Sequence, residues 1–193
     1  MGKYAEALTY FEKSLEIQKE ALGEKHPDTA GTYDNIGSAL CDMGRFAEAL
    51  TYFEISLEIQ KEILGEKHPD TTGTYHNIGS ALCDMGKYAE ALTYFEKSLE
   101  IQKETLGEKH PDTAGTYNYI GSALCDMGRH TEALLYFEKS LAVAPKYDEK
   151  SPEIQKETLA KKHLYTATTY QKIDSTFHIL VFFVTRRASS SNL

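Results

Sequence analysis

The sequence predicts an all-α fold of stacked antiparallel helix pairs, and three observations predict it. Cys41, Cys83 and Cys125 stand 42 residues apart, His26, His68 and His110 keep the same step, and so do Gly2, Gly44, Gly86 and Gly128. The unit 2–43 differs from the unit 86–127 only at Ala21/Thr105, Asp34/Asn118 and Asn35/Tyr119. Within each step, apolar residues recur at three- and four-residue spacing in two runs, the mark of two amphipathic helices. A step of this size belongs to helical-hairpin repeats, whose units stack because none buries its apolar face alone.

In the middle unit, His68-Pro69-Asp70-Thr71 opens the first helix. Proline at the first helical position lacks an N–H that would go unsatisfied anyway, and Asp70 suits the positive end of the helix dipole. The helix runs through Tyr75, Ile78, Ala81, Leu82 and Met85 and stops at Gly86. The second helix starts near Tyr88, carries Ala91, Leu92, Phe95, Leu99, Gln102 and Leu106, and ends at Gly107. Ala91 is small where two helices approach closely, and Phe95 is the large side chain that fills the gap. Lys97, Glu100, Lys103 and Glu104 cover the solvent face. The step from Glu100 to Glu104 pairs like charges and is no ion pair, so helicity rests on packing.

The ends depart from this pattern. Residues 2–25 read as a second helix with no first helix before it, so its apolar face (Ala7, Leu8, Phe11, Leu15) lacks one neighbour. The fourth unit closes at Ala144-Pro145, and a polar insertion follows from Lys146 to Pro152. Glu153 to Leu159 then repeats Glu100 to Leu106, and Thr166 to Ile173 reads as a worn first helix. The expected organisation is a repeat array over 1–145 (units 2–43, 44–85 and 86–127, with a partial unit 128–145). A linker follows at 146–152, then a degenerate repeat or capping helices at 153–184 and a disordered tail at 185–193. Phe177 to Val184 reads as a cap over the last apolar face or as an exposed, aggregation-prone segment.

The 193 residues carry 21 Lys and Arg against 29 Asp and Glu, a net charge of −8. That balance argues against nucleic acid and against an anionic membrane surface as partners. Hydrophobic residues at 41% and charged residues at 26% suit a folded, soluble chain. Met1 to Glu6 holds no apolar signal region, and Phe177 to Val184 is far short of the roughly 20 residues that span a bilayer. A cytoplasmic protein is expected.

Tyr33-x-Asn35-Ile36-Gly37-x-x-Leu40, with Gly44-x-Phe46-x-Glu48-Ala49 and Phe53, resembles the two helices of the tetratricopeptide repeat. The ordinary unit has about 34 residues, so each unit here carries about eight more. The long second helix ending in Leu-Gly-x-x-His-Pro-Asp resembles the kinesin light chain and nephrocystin-3 type of repeat. The resemblance implies a right-handed α-solenoid that binds extended peptides along its first helices. It also places the groove at Asp34, Asn35, Ser38, Cys41 and Asp42; at His76, Asn77, Ser80, Cys83 and Asp84; and at Asn118, Tyr119, Ser122, Cys125 and Asp126. Asparagine suits this task because it both donates to and accepts from a peptide backbone. Variation at Asp34/His76/Asn118 reads as tuning of the groove or as drift at solvent-facing positions.

The chemistry of an enzyme is not announced. Nucleophilic catalysis needs a Cys or Ser with a base in reach, whereas the three cysteines occupy one repeated slot. About 10 Å between neighbouring units leaves them free thiols, which fits a reducing compartment. Each His-Pro-Asp triplet offers one His and one Asp, too few for a metal, and reads as a helix start. With no phosphate loop and no Cys-x-x-Cys motif, no cofactor and no catalytic residue is expected. Arg186-Arg187-Ala188-Ser189 fits a basophilic kinase pattern of the kind that arises by chance.

Chaperone-binding relatives hold a carboxylate with Lys and Arg on these first helices, and the kinesin light chain groove likewise uses basic residues. The positions above carry none, and each unit contributes an Asp. The expected ligand is therefore a neutral or basic peptide or a partner helix, drawn by Asp42, Asp84 and Asp126. The leading reading is a non-enzymatic protein-binding scaffold. A cargo adaptor of the kinesin light chain kind is the alternative within that class, although the heptad coiled coil that joins the light chain to its motor is not seen. A self-assembling structural repeat, stacking through its bare terminal helix, is the rival from another class.

Overall fold

Proline three times opens a helix, and glycine three times closes the hairpin that follows. The computed structural model describes residues 2–143, 171–176, 178 and 179. Its helices are α1 (Gly2–Ala21), α2 (Pro27–Asp42), α3 (Phe46–Ile63), α4 (Pro69–Asp84), α5 (Tyr88–Thr105), α6 (Pro111–Asp126) and α7 (His130–Val143). Residues 171–176 form a further helical segment, and no strand occurs among the described residues. The all-α expectation holds, and the helix limits of the middle unit fall within a residue or two of those read from the sequence. The chain divides into two units, Met1–Ile101 and Gln102–Leu193. Outside the described residues lie the linker at 146–152, the capping reading of 153–184 apart from the positions just named, and the tail with Arg186 to Ser189.

The loop between a second helix and the next first helix is closed by three devices. Gly65 takes a φ of +91°, a left-handed conformation that a side chain would strain. The Thr71 hydroxyl then donates to the Gly65 carbonyl at 2.9 Å. Thr29 and Thr113 do the same to Gly23 and Gly107. Finally, the His68 side chain caps α4, its Nδ1 accepting from the Asp70 N–H at 3.2 Å, as His26 and His110 do for Asp28 and Asp112. That capping satisfies one of the orphan donors of the first turn and needs a neutral Nδ1, with the ring proton on Nε2. The triplet is thus a helix start in all three copies. Replacing His68 by alanine is expected to cost about 0.5–2 kcal/mol, and asparagine, itself a good cap, should restore most of it. Urea melts of the two variants check this.

Inside each hairpin the core is a phenylalanine seated on a glycine. Phe53, Phe95 and Phe137 are fully buried. A Cβ built on Gly37, Gly79 or Gly121 would fall 2.5, 2.6 and 2.6 Å from the facing ring. Ala49, Ala91 and Ala133 are wholly buried alongside. Tyrosine pairs flank this seat, Tyr33 with Tyr52 and Tyr117 with Tyr136, ring centroids 6.1 Å apart in both. A serine hydroxyl ties the pair across the seam, Ser56 to the Ala30 carbonyl at 2.8 Å and Ser98 to that of Thr72 at 3.4 Å.

Consecutive hairpins are joined by a threonine–glutamine bond. The Thr32 hydroxyl meets Gln18 Oε1 at 2.6 Å, Thr74 meets Gln60 at 2.8 Å, and Thr116 meets Gln102 at 2.7 Å. All three threonines are buried, so these bonds satisfy groups that would otherwise be costly.

Candidate binding face

The residues expected to line a groove lie on α2, α4 and α6, but the helices turn them to different surroundings. In the first unit Asn35, Ser38 and Asp42 are exposed on α2, with Cys41 half-buried beside them. On α4, Asp84 is exposed, and His76, Asn77, Ser80 and Cys83 are half-buried. The His76 ring lies against Phe95, centroids 5.3 Å apart, so one edge of it belongs to the core.

Asp34 is turned into the α2–α4 seam. Its Oδ2 lies 2.8 Å from the Thr74 hydroxyl, whose single proton it shares with Gln60 Oε1, while its Oδ1 is buried and accepts no hydrogen bond. Burial pushes the carboxyl up to about 6, with the Asp70 carboxylate adding to the rise. The Thr74 hydroxyl and the Asn77 side chain pull it the other way.

The second unit handles the same positions differently. Tyr119 and Asp126 on α6 are exposed, Ser122 is half-buried, and Asn118 is buried. The segment 171–176 covers part of this face. Lys172 Nζ donates to Ser122 Oγ at 2.5 Å and approaches Asn118 Oδ1 at 3.5 Å, and its ammonium sits 6.0 Å from the Phe137 ring centre. The Thr176 hydroxyl meets Cys125 Sγ at 3.2 Å. Burial pulls the Lys172 ammonium down, opposed by the nearby Cys125 and Asp126.

None of the three cysteines forms a disulfide, and Cys41 and Cys125 are ill-suited to attack. Burial pushes Cys41 up to about 11, and the Asp84 and Asp42 carboxylates add to it. Cys125 is raised too, again chiefly by burial. A nucleophilic cysteine needs the opposite, a thiolate held down by nearby positive charge. Among the described residues no group of three His, Cys, Asp or Glu could hold a metal ion, and no helix is long and apolar enough to cross a membrane.

Sequence reasoning missed two things here: the histidine caps, and the burial of Asp34 and Asn118. A signal for the second was present. Each first helix carries a threonine 14 residues after a glutamine, a polar pair repeated in every copy, which marks a seam rather than solvent.

Comparisons with known proteins agree with this geometry. A tetratricopeptide repeat family model matches residues 1–40 and 70–146, and a second tetratricopeptide repeat model matches 29–70. No curated protein sequence matches the chain. Among solved structures, BtubC (BKLC) from P. vanneervenii is similar over 99% of this chain and 75% of its own, at 20% identity and a TM-score of 0.72. A kinesin light chain-type protein of nearly identical TPR-like repeats from Podosopora anserina is similar over 99% and 89%, at 23% identity and a TM-score of 0.71. The apo form of RapI is similar over 93% and 63%, at 24% identity and a TM-score of 0.67. At these identities the likeness is one of fold.

Proposed function

The chain belongs to the tetratricopeptide repeat family, with repeats of the kinesin light chain type, and from that premise we propose a non-enzymatic scaffold that binds a neutral or basic peptide or partner helix along its first helices. One observation carries the charge preference. Asp42, Asp84 and Asp126 are each the last residue of a first helix and are exposed. A carboxylate there faces the negative end of the helix dipole, a position that favours a cation by about 0.3–1 kcal/mol. Three acidic groups held where stability disfavours them are well placed to meet a positively charged ligand. No Lys or Arg occurs on α2, α4 or α6 to compete with one.

Lys172, in the stretch read as a worn first helix, is received by Ser122 beside Asn118, so an ammonium finds acceptors on this face. A lysine of a bound peptide would meet the corresponding surface of the first unit at Ser38, Ser80, Asn35 and Asn77, with Asp42 and Asp84 supplying charge. His76 offers an aromatic edge there, and Tyr119 does so in the second unit. Asp34 and Asn118 act on this face from beneath, by setting how the helices seat. The cargo-adaptor reading uses the same surface with a larger protein in place of the peptide. Three cysteines in no disulfide support a cytoplasmic location.

The test is a panel of fluorescent peptides of equal length, lysine-rich, neutral and acidic, titrated against the chain and against an Asp42→Asn/Asp84→Asn variant. The lysine-rich set should bind best, weaken several-fold in the variant, and weaken further with salt. The variant itself should be no less stable than the parent. Acidic peptides binding best would sink the charge preference.

A further inference from the structure

Each first helix carries a seat made of a serine, the residue one turn before it and the buried phenylalanine of the facing helix. On α6 the seat holds an ammonium. Lys172 Nζ donates to Ser122 Oγ at 2.5 Å, lies 3.5 Å from Asn118 Oδ1 and stands 6.0 Å from the Phe137 ring centre. Ser122 gives its own proton to the Asn118 carbonyl at 2.8 Å, so its oxygen is left to accept. On α4 the seat holds a ring instead, because His76 lies 5.3 Å from Phe95.

On α2 the corresponding groups are smaller. Asp34 replaces the imidazole of His76, and Asn77 stands in the register of Lys172, as Tyr75 and Ile78 stand in that of Tyr170 and Ile173. Ser38 is exposed, whereas Ser122 is half-buried. Asp34 carries the charge that Asn118 lacks, and its Oδ1 is buried with no hydrogen bond. The Asp70 carboxylate on α4 acts on it, Asp42 follows one turn after Ser38, and no Lys or Arg occurs on either helix. Reach is no obstacle. Asn118 is 5% exposed, and a lysine still brings its ammonium to 3.5 Å from it.

We propose that Asp34 and Ser38 form a lysine-selective subsite that takes one ammonium of a bound peptide, with Asp34 as its specificity-determining residue. This rests on the reading that a basic peptide lies along the first helices, and it gives Asp34 a role beyond seating them. Asp42 and Asp84 are exposed at helix ends, where they attract positive charge of any shape and are screened by salt. Asp34 and Ser38 instead offer a charged and a neutral acceptor in the arrangement that holds Lys172. The α6 seat shows why the charge matters. With only Asn118 and Ser122 as direct acceptors, burial pulls the Lys172 ammonium down. A carboxylate at that position offsets the desolvation of the ammonium and gains a partner for its own buried oxygen. The Asp34/His76/Asn118 variation is then tuning of the face, one lysine subsite among three seats.

The probe is a neutral peptide of the panel above carrying one lysine, with a twin in which norleucine keeps the alkyl chain and drops the ammonium. Both are titrated at pH 8, where Asp34 is ionised. The parent chain should prefer the lysine peptide by about tenfold. The preference should survive added salt and persist in Asp42→Asn/Asp84→Asn. In Asp34→Asn it should nearly vanish while the norleucine twin binds as before. Separately, Asn77→Lys supplies an ammonium from α4 as Lys172 does on α6. It should raise the urea midpoint at pH 8, and the gain should disappear when Asp34 is also asparagine. A midpoint unmoved or lowered would overturn the subsite, as would a lysine preference that Asp34→Asn leaves intact. Equal weakening of both twins in Asp34→Asn would overturn it too, by showing that Asp34 only positions helices. A preference abolished by Asp42→Asn/Asp84→Asn alone would do the same and leave the charge reading standing. If acidic peptides bind best, or no peptide binds up to millimolar concentration, the reading falls and the subsite with it.

Discussion

Truncating Phe95 to alanine is expected to remove about 3–5 kcal/mol. Its ring is fully buried and rests on the Gly79 backbone, so deletion opens a cavity that neighbouring helix backbones cannot close. The converse change tests the same seat from the other side. Gly79→Ala improves intrinsic helix propensity by about 1 kcal/mol, yet it should still destabilise by about 1–3 kcal/mol. The new methyl would lie 2.6 Å from a ring carbon of Phe95, and the ring is too enclosed to withdraw. Combining Gly79→Ala with Phe95→Leu frees the space the methyl needs, so the double variant should be more stable than the two separate losses predict. Urea midpoints for the four chains decide the matter. Additive losses would mean that the glycine is there for some reason other than the ring.

That seat also shows how far the sequence could be read. The 42-residue step, the helix limits and the roles of Ala91 and Phe95 follow from periodicity, because amphipathic spacing is local information. The partner of Phe95 is not local. The glycine at this position, Gly37 in the first copy, enters the sequence reading only as part of the repeat signature, and what it seats is known once the facing helix is placed. The histidine caps stayed hidden for a different reason: Ser, Thr, Asp and Asn dominate that position, and a ring nitrogen in the same place has no strong statistical signature. The groove was legible only as a set of surface-spaced positions. Whether a given one faces ligand or seam depends on the next helix along, which is why Asp34 and Asn35, adjacent in sequence, part company in the fold.

Asp34 yields the second large effect, a stability that rises as the solution is acidified. In an unfolded chain its carboxyl titrates near the ordinary value of 3.8, whereas in the fold burial has pushed it up to about 6. The folded state therefore holds the proton more tightly than the unfolded state. Its contribution is fully present below the unfolded value and is lost as pH rises through about 6. Between pH 4 and pH 8 the difference is on the order of 2–3 kcal/mol against the fold at the alkaline end. The cause is visible in the seam. One oxygen shares the Thr74 proton with Gln60 and the other is buried with no hydrogen bond, so a full negative charge is poorly supported there. The second unit carries Asn118 at this position, an uncharged residue of nearly the same shape. Asp34→Asn should accordingly stabilise the first unit at pH 8 by about 1–3 kcal/mol, with the advantage shrinking as pH falls through 6 and gone near pH 4. Comparing the two chains at each pH cancels the titration of every other group, including the exposed carboxylates held low by Arg45 and Arg129. An advantage that stayed constant across the range would show that Asp34 carries no buried charge at neutral pH. If instead the gap closes on acidification, the α2–α4 seam beneath Asn35 and Ser38 tightens in mild acid, and ligand affinity on that face should be measured across the same interval.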